Sequence, residues 1–241
     1  MTIKLHKFGP AWGLADPSPF CLKLESFLRE AAIPFEVVPF DRTKSFAKSP
    51  KGKLPFIEED DGSVVGDSTL IIERLSRIRD IDLDRELSPQ QRAISLAFRR
   101  MLDEHLYWTA VHFRWFAEPG WSLLRRAFFS RIPWPARPLA EAMLRRKMAA
   151  ALRAQGTGRH AQDDIGRLGA EDIRALSDLL GTDTWFFGSE RPTLLDLWTH
   201  AYVAEIVVPP IDSPLKQMAL GLANLTAHCE RLQARLYPSD R

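Results

Sequence analysis

Along the first eighty residues, short apolar runs alternate with apolar positions at helical spacing. Ile3 to Phe8 reads as a strand, and a Gly- and Pro-rich loop, Gly9-Pro10-Ala11-Trp12-Gly13-Leu14-Ala15-Asp16-Pro17, follows it. Phe20, Leu24, Phe27, Leu28 and Ala31 then recur at the period that gives a helix one apolar face. Phe35 to Pro39 reads as a second strand. Leu54 to Glu58 and Ser63 to Val65 read as two more, joined through Asp61-Gly62, a strong hairpin signal. Leu70, Ile71, Leu75 and Ile78 mark a further helix. The order is β-α-β, a loop with room for a short helix, then β-β-α, which implies an α/β layer on a mixed sheet.

From Ser88 the pattern becomes helical throughout. Ser88-Pro89-Gln90-Gln91 combines an N-cap serine, a first-turn proline and a glutamine three residues after the cap, and nothing breaks the helix before Glu118. Pro119-Gly120 ends it. Two more helices are expected over Pro138 to Ala154 and Glu171 to Leu180. Thr193-Leu194-Leu195-Asp196 has the form of a capping box opening a helix to about Val207, and Ser213-Pro214 opens a last helical stretch ending near Tyr237-Pro238. The segment Asp80 to Leu87 divides the α/β part from the helical part.

The 241 residues are 45% hydrophobic and 27% charged, an ordinary globular composition that excludes disorder for the bulk of the chain. No apolar run approaches the ~18 residues needed to span a bilayer, and Met1 to Lys7 has no signal-peptide character, so a cytoplasmic protein is expected. Two cysteines, Cys21 and Cys229, fit a reducing compartment. A net charge of +2 gives no reason to expect nucleic acid. Charge is nonetheless uneven: residues 120–159 carry nine Arg or Lys and one Glu, whereas 160–196 carry eight acidic residues and three Arg. Two solvated faces that pair with each other or with a second subunit explain this best, and a basic patch for an anionic ligand or lipid surface is the sharper alternative.

Three features of the first part point to a peptide-like anionic ligand. Ser18-Pro19-Phe20-Cys21 opens the first helix, whose free N–H groups stabilise an anion. A hydroxyl there can donate to a bound thiolate and lower its pKa, although Ser18 alone reads equally well as a simple cap. In Lys53-Leu54-Pro55-Phe56 a proline interrupts a strand, which suits a cis Leu54–Pro55 bond that leaves backbone groups free for an extended peptide, or merely an edge strand. Lys53 beside it can meet a carboxylate. Gly66-Asp67-Ser68 opens the next helix with two capping residues, where Asp67 can receive an ammonium, or can simply cap. Each is weak alone; together, in this order, they are specific.

On these residues, residues 1–80 resemble the thioredoxin-like, glutathione-binding domain of glutathione transferases, and residues 88–241 resemble the family's all-helical C-terminal domain. Within the superfamily, Phe8 to Gly13, Ser18 to Glu25, Ser49 to Pro55 and Asp67-Ser68 resemble the branch of failed axon connections and metaxin proteins. The resemblance implies a glutathione transferase that is cytoplasmic, serves detoxification, forms a homodimer and uses glutathione as cosubstrate with no metal. It implies Ser18 as the thiol-activating residue, Leu54-Pro55 on the cysteinyl backbone of glutathione, Asp67-Ser68 on its γ-glutamyl group and Lys53 near its glycyl carboxylate. Thr193 to Asp196 resembles the capping box of the C-terminal core. Disulfide-exchange members carry Cys where Ser18 stands, so Cys21 is expected to be a small packing residue, and a glutathione-dependent thiol oxidoreductase is the weakest reading.

The second substrate, a small electrophile, is expected where the two parts meet. There Tyr107, Trp108, His112 and Trp115 share roughly one helix face; most such aromatics are core, with one or two expected to line an apolar pocket together with Trp12. His105 and His112 are seven residues apart, with no Cys or carboxylate cluster to complete a metal site. From Trp121 to Trp134, Trp, Leu, Phe and Ile alternate with Arg125, Arg126 and Arg131, which reads as a packed insertion or a lid ahead of a membrane-interface segment. Because members of this branch include interaction proteins, a non-catalytic module that keeps the fold is the alternative function.

Overall fold

A computed structural model describes residues 2–130 and 132–238, apart from the side chains of Arg42 and Thr43. Arg131, one of the basic positions noted above, lies outside the described residues. The α/β part runs β1 (Ile3–His6), α1 (Pro19–Glu30), β2 (Phe35–Val38), α2 (Arg42–Lys48), β3 (Phe56–Glu58), β4 (Val64–Gly66) and α3 (Ser68–Arg79). The sheet order is β2-β1-β3-β4, with β1 parallel to β2 and antiparallel to β3, and β3 antiparallel to β4. Side chains alternate across it as a strand requires. Ile3, Leu5 and Ile57 join Leu24, Phe27 and Leu28 of α1 and Ile71, Ile72 and Leu75 of α3 in one core. Phe56 points the other way, onto Leu54, Cys21 and Phe46 of α2.

The helical part runs α4 (Pro89–Met101), a π-helical turn (Leu102–Leu106), α5 (Tyr107–Trp115), α6 (Gly120–Leu124), a second π-helical turn (Arg125–Phe129), α7 (Ala136–Gln155), α8 (Gln162–Leu180), α9 (Leu194–Val207), α10 (Pro214–Leu220) and α11 (Ala223–Leu236). Ser88 caps α4 as the sequence predicts, its Oγ accepting the Gln91 N–H while Gln91 Oε1 accepts the Ser88 N–H. Three expectations need correcting. The helix expected from Ser88 to Glu118 bulges through a π turn before α5. The last stretch is two helices, parted at Gly221 and Leu222. Helix α8 starts nine residues before Glu171, because Gly166 and Gly169, which weaken the helical pattern, serve close packing. A Cβ added at Gly169 would stand 2.6 Å from both Thr109 Oγ1 and Leu215 Cδ2.

Helix α9 is buried from Leu195 to Ile206. Asp196 anchors its start by accepting the Thr193 N–H at 2.7 Å, the Phe186 N–H at 3.1 Å and a bond from His228 Nε2 at 2.7 Å. Helix α1 lies between the sheet and α9, with Leu24, Phe27 and Leu28 toward the sheet core and Leu22 against Ala201 and Ala204. Each fully buried Leu or Phe of this kind contributes about 1.5–3 kcal/mol, so α1 is the element on which both parts depend.

Polar bolts fix the junction. Lys23 of α1, with no exposure, donates to Asp103 Oδ1 at 2.6 Å, and Asp103 also accepts from Tyr202 at 2.7 Å and from Trp198 Nε1 at 3.2 Å. Asp84, between α3 and α4, accepts the Leu194 N–H at 2.9 Å. The start of α1, where Ser18 stands, is thereby set against α5 and α9.

Candidate functional site

Ser18 occupies the N-cap position of α1 with extended backbone, yet its side chain makes no capping bond. Asp16 orders the chain that leads into it: Oδ1 accepts the Ser18 N–H and Oδ2 the Gly9 N–H, each at 2.9 Å. An aspartate accepting an N–H two residues on is an Asx turn, and the serine hydroxyl beside it makes no bond to the helix backbone. The hydroxyl meets the Cys21 thiol instead. Simple capping, the bland reading of Ser18, is therefore not what its hydroxyl does.

Cys21 has no solvent exposure and packs with Leu54 and Phe56. Burial, reinforced by the Asp16 charge, pushes its thiol well above the usual range. This is the packing residue the sequence suggests, since a reactive thiol needs exposure and a depressed pKa. Asp16 is itself fully buried, and desolvation pushes its carboxyl up to about 6 against the opposing N–H bonds and Lys7.

The Leu54–Pro55 bond is cis, and Pro55 lies just outside the ladder of β3, which begins at Phe56. Ser49 pins the approach to it: its Oγ accepts the Lys53 N–H at 3.0 Å and donates to the Lys53 carbonyl at 2.5 Å. The exposed Lys53 side chain makes no ion pair among the described residues. Asp67 caps α3, with Oδ1 accepting from Thr69 and Leu70 at 3.1 and 3.3 Å, and Oδ2 stands 3.4 Å from Lys51 Nζ. Its φ of 84° is a left-handed value that costs a non-glycine residue on the order of 1 kcal/mol or more. Such strain persists where the surroundings demand it, and it holds the carboxylate at the exposed rim above the buried Ser68.

The structure brings Tyr107 and Trp12 to the junction, gives Trp108 a ring contact with its chain neighbour Tyr107, and leaves His112 out. Tyr107 crosses Phe20 edge to face at 4.8 Å and touches Trp108, and its hydroxyl feels the charges of Arg114 and Glu205. His112 packs on Phe113 and Phe116 and interacts with Gln162 of α8, because it lies five residues after Tyr107 in the regular helix α5, about 140° further round its axis. Trp12 meets Phe128 at 5.6 Å, and Phe128 also meets Phe8 at 6.5 Å. Trp121, Leu124 and Phe129 are buried among Trp115, Ile132 and Leu144. Phe128 thus joins the buried cluster of Trp121, Leu124 and Phe129 to the loop before Ser18, while Trp134 stands 77% exposed. Two open recesses, about 530 Å³ between α8 and α10 and about 300 Å³ beside Phe187, lie away from this site.

Three residues the sequence reading passes over belong to the site: Asp16, Arg114 and Glu205. The Asp-Pro-Ser spacing was a readable signal for Asp16; Arg114 and Glu205 carry none, since they meet only through tertiary packing. Arg114 Nη1 donates to the Pro17 carbonyl at 2.8 Å and Nη2 to Glu205 Oε2 at 2.5 Å. Among the described residues no three His, Cys, Asp or Glu side chains gather as a metal site, and no helix is long and apolar enough to cross a membrane.

Residues 19–120 match the model of the glutathione S-transferase N-terminal domain, and 169–232 that of the glutathione S-transferase C-terminal domain. The isoprene-epoxide–glutathione S-transferase of Rhodococcus sp. (strain AD45) is 34% identical over 96% of this chain and 98% of its own length. Failed axon connections of Drosophila melanogaster is 33% identical over 98% of this chain, which spans 58% of that protein. A glutathione S-transferase of Methylobacterium radiotolerans, solved in complex with glutathione sulfonate, superposes with a TM-score of 0.60 at 20% identity, covering 100% of this chain and 97% of its own. The fold is the family's: a thioredoxin-like sheet domain followed by a helical domain.

Proposed function

The chain belongs to the glutathione S-transferase family, and from that premise we propose that it conjugates glutathione, as the thiolate, to an electrophilic, apolar small molecule. The observation that carries this is the Ser18 hydroxyl, standing at the N-terminus of α1 and free of any capping bond. A hydroxyl and free helix N–H groups at one point favour a bound sulfur anion over its thiol. Glutathione lies along Leu54-Pro55, its γ-glutamyl ammonium at Asp67 with Ser68 beneath, and its glycyl carboxylate near the unpaired Lys53. The thiolate attacks carbon directly, and no covalent enzyme intermediate is required. Trp12, Tyr107 and Trp108 give the electrophile an aromatic surround. The Rhodococcus relative makes epoxides the first electrophiles to try: a C–S bond forms, the ring C–O bond breaks, and the oxygen takes a proton from water.

Calorimetry with glutathione tests the binding half. Asp67→Asn keeps a capping oxygen and tolerates the positive φ, but removes the charge, so it should bind glutathione several-fold more weakly with little change in melting temperature. Failure of the unaltered protein to bind at millimolar glutathione overturns the reading. One observation favours a second function. Trp134, before α7, and Leu139 and Met143, one turn apart on it, are 77, 73 and 64% exposed, while Glu141, on the opposite side of the helix, is buried against Arg125. Such a face suits an interaction module, and glutathione binding without turnover of epoxides or aryl halides would favour it. The buried Cys21 argues against the thiol oxidoreductase alternative.

A further inference from the structure

The loop from Gly9 to Pro17 ends at the residue that carries the hydroxyl, and three sets of contacts hold it. Within the loop, Asp16 ties Gly9 to Ser18. Its crest rests on the end of α9, where a Cβ added at Gly13 would stand 3.3 Å from Val208, and Leu14 packs with Ala201 and Ala204. Its end is gripped from α5, 97 residues away in sequence, by the Arg114 bond to the Pro17 carbonyl.

The grip is built to be directional. Arg114 Nη2 also reaches the Glu205 carbonyl at 3.3 Å, and the guanidinium lies 5.4 Å from the centre of the Trp12 ring. A planar guanidinium held at both faces of its fork cannot turn without losing bonds. Glu205 is 4% exposed and its Oε1 has no partner among the described residues, so its burial is set against one charged bond, to Arg114. A carboxylate kept at that cost orients the arginine rather than adding stability.

We propose that Arg114, oriented by Glu205, is a positioning residue for the thiol site: by holding the Pro17 carbonyl it sets the direction of the Ser18 hydroxyl and so couples the helical domain to thiol activation. This rests on the transferase reading of Ser18. Hydrogen bonds weaken steeply as they leave line, so a small turn of the loop diminishes sulfur stabilisation while the peptide contacts at Leu54 and Asp67, on other elements, persist.

The test compares Arg114→Met, which keeps the apolar stem, with Arg114→Lys, which keeps the charge and one donor. The readouts are the pH midpoint of bound-glutathione thiolate absorbance, kcat against KM, and hydrogen exchange of the amides from Gly9 to Ser18. The methionine variant should raise the midpoint, lower kcat about tenfold, less than loss of a donor that touches the anion itself, and leave KM for glutathione little changed. The lysine variant should recover part of the loss, and it carries the test if the methionine variant does not fold. Arg235→Ala, which breaks the Glu30–Arg235 pair joining α1 to α11 elsewhere, should lower melting temperature without moving the midpoint. An unchanged midpoint and kcat in Arg114→Met, or an equal shift in Arg235→Ala, overturns the proposal. If the unaltered protein binds no glutathione, the transferase reading fails separately, and unchanged exchange at Gly9 and Ser18 in Arg114→Met overturns the clamp on its own.

Discussion

Two side chains one helical turn apart, Ser18 and Cys21, offer oxygen and sulfur at the same helix start, and burial separates their roles. Cys21 has no exposure and a thiol pushed far above neutrality, so at neutral pH it carries a proton and no solvent path. Ser18 is half-buried at the rim, with its hydroxyl free of the backbone. Ser18→Ala should raise the thiol pKa of bound glutathione and cut kcat, by less than the ~10²–10³ seen when a single oxyanion donor is removed, because the α1 N–H groups remain. Cys21→Ala should cost roughly 1 kcal/mol through the small cavity beside Leu54 and Phe56 and keep turnover. Steady-state kinetics and urea unfolding of the two variants check this. Activity lost in Cys21→Ala and kept in Ser18→Ala would reverse the assignment. At this scale the sequence was informative wherever a residue acts through its neighbours in the chain: Ser18, the Leu54–Pro55 pair and Asp67 all sit where local pattern places them. It was silent on Arg114 and Glu205, which are brought together across 91 residues by packing alone, and it misdirected His112.

Among the elements, those with strong local punctuation were read correctly. The α4 and α9 starts have capping boxes, β3 and β4 have the Asp61-Gly62 turn, and the structure has each of them. The errors fall where tertiary packing overrides local preference. Gly166 and Gly169 look like helix breakers by propensity, yet α8 runs straight through them because α5 and α10 approach too closely for any side chain. At Gly169 an added Cβ would meet Thr109 Oγ1 and Leu215 at 2.6 Å. Gly169→Ala, ordinarily a stabilising change in a helix, should here destabilise by about 1–3 kcal/mol through overpacking. Urea unfolding measures it, and a variant as stable as the unaltered protein would mean the helices part at little cost. The π turn after Met101 belongs to the same class: no residue type announces it, and it interrupts the α-helical register between α4 and α5, the helix that carries Tyr107 toward Phe20 of α1.

For the whole molecule, the junction between the domains stores titratable groups that water does not reach, and these make stability depend on pH. Burial, with a further contribution from the Asp16 charge, raises Glu205 from the ordinary 4.5 to about 7, despite Arg114. Asp16 rises from 3.8 to about 6. Both groups hold a proton in the folded chain that the unfolded chain has already released, so the stability they contribute is full below their unfolded values and is lost as pH rises through the folded ones. His200 acts in the opposite sense: burial lowers it from 6.5 to about 4, so its contribution is full above 6.5 and fades as pH falls toward 4. Between about pH 5 and 6 the two carboxyls outweigh the one histidine, and from 6.5 to 7 Glu205 acts alone. Glutamine at 205 keeps an oxygen for Arg114 and cannot titrate. Thermal unfolding followed from pH 5 to pH 8 should therefore fall less steeply in Glu205→Gln, by on the order of 1 kcal/mol per pH unit, with the gap widening up to about pH 7 and constant beyond. The slope is the quantity to compare, because any packing difference between the glutamine amide and the protonated carboxyl shifts the variant's stability by the same amount at every pH. Parallel curves would place the titration elsewhere and remove Glu205 as a buried acid facing Arg114.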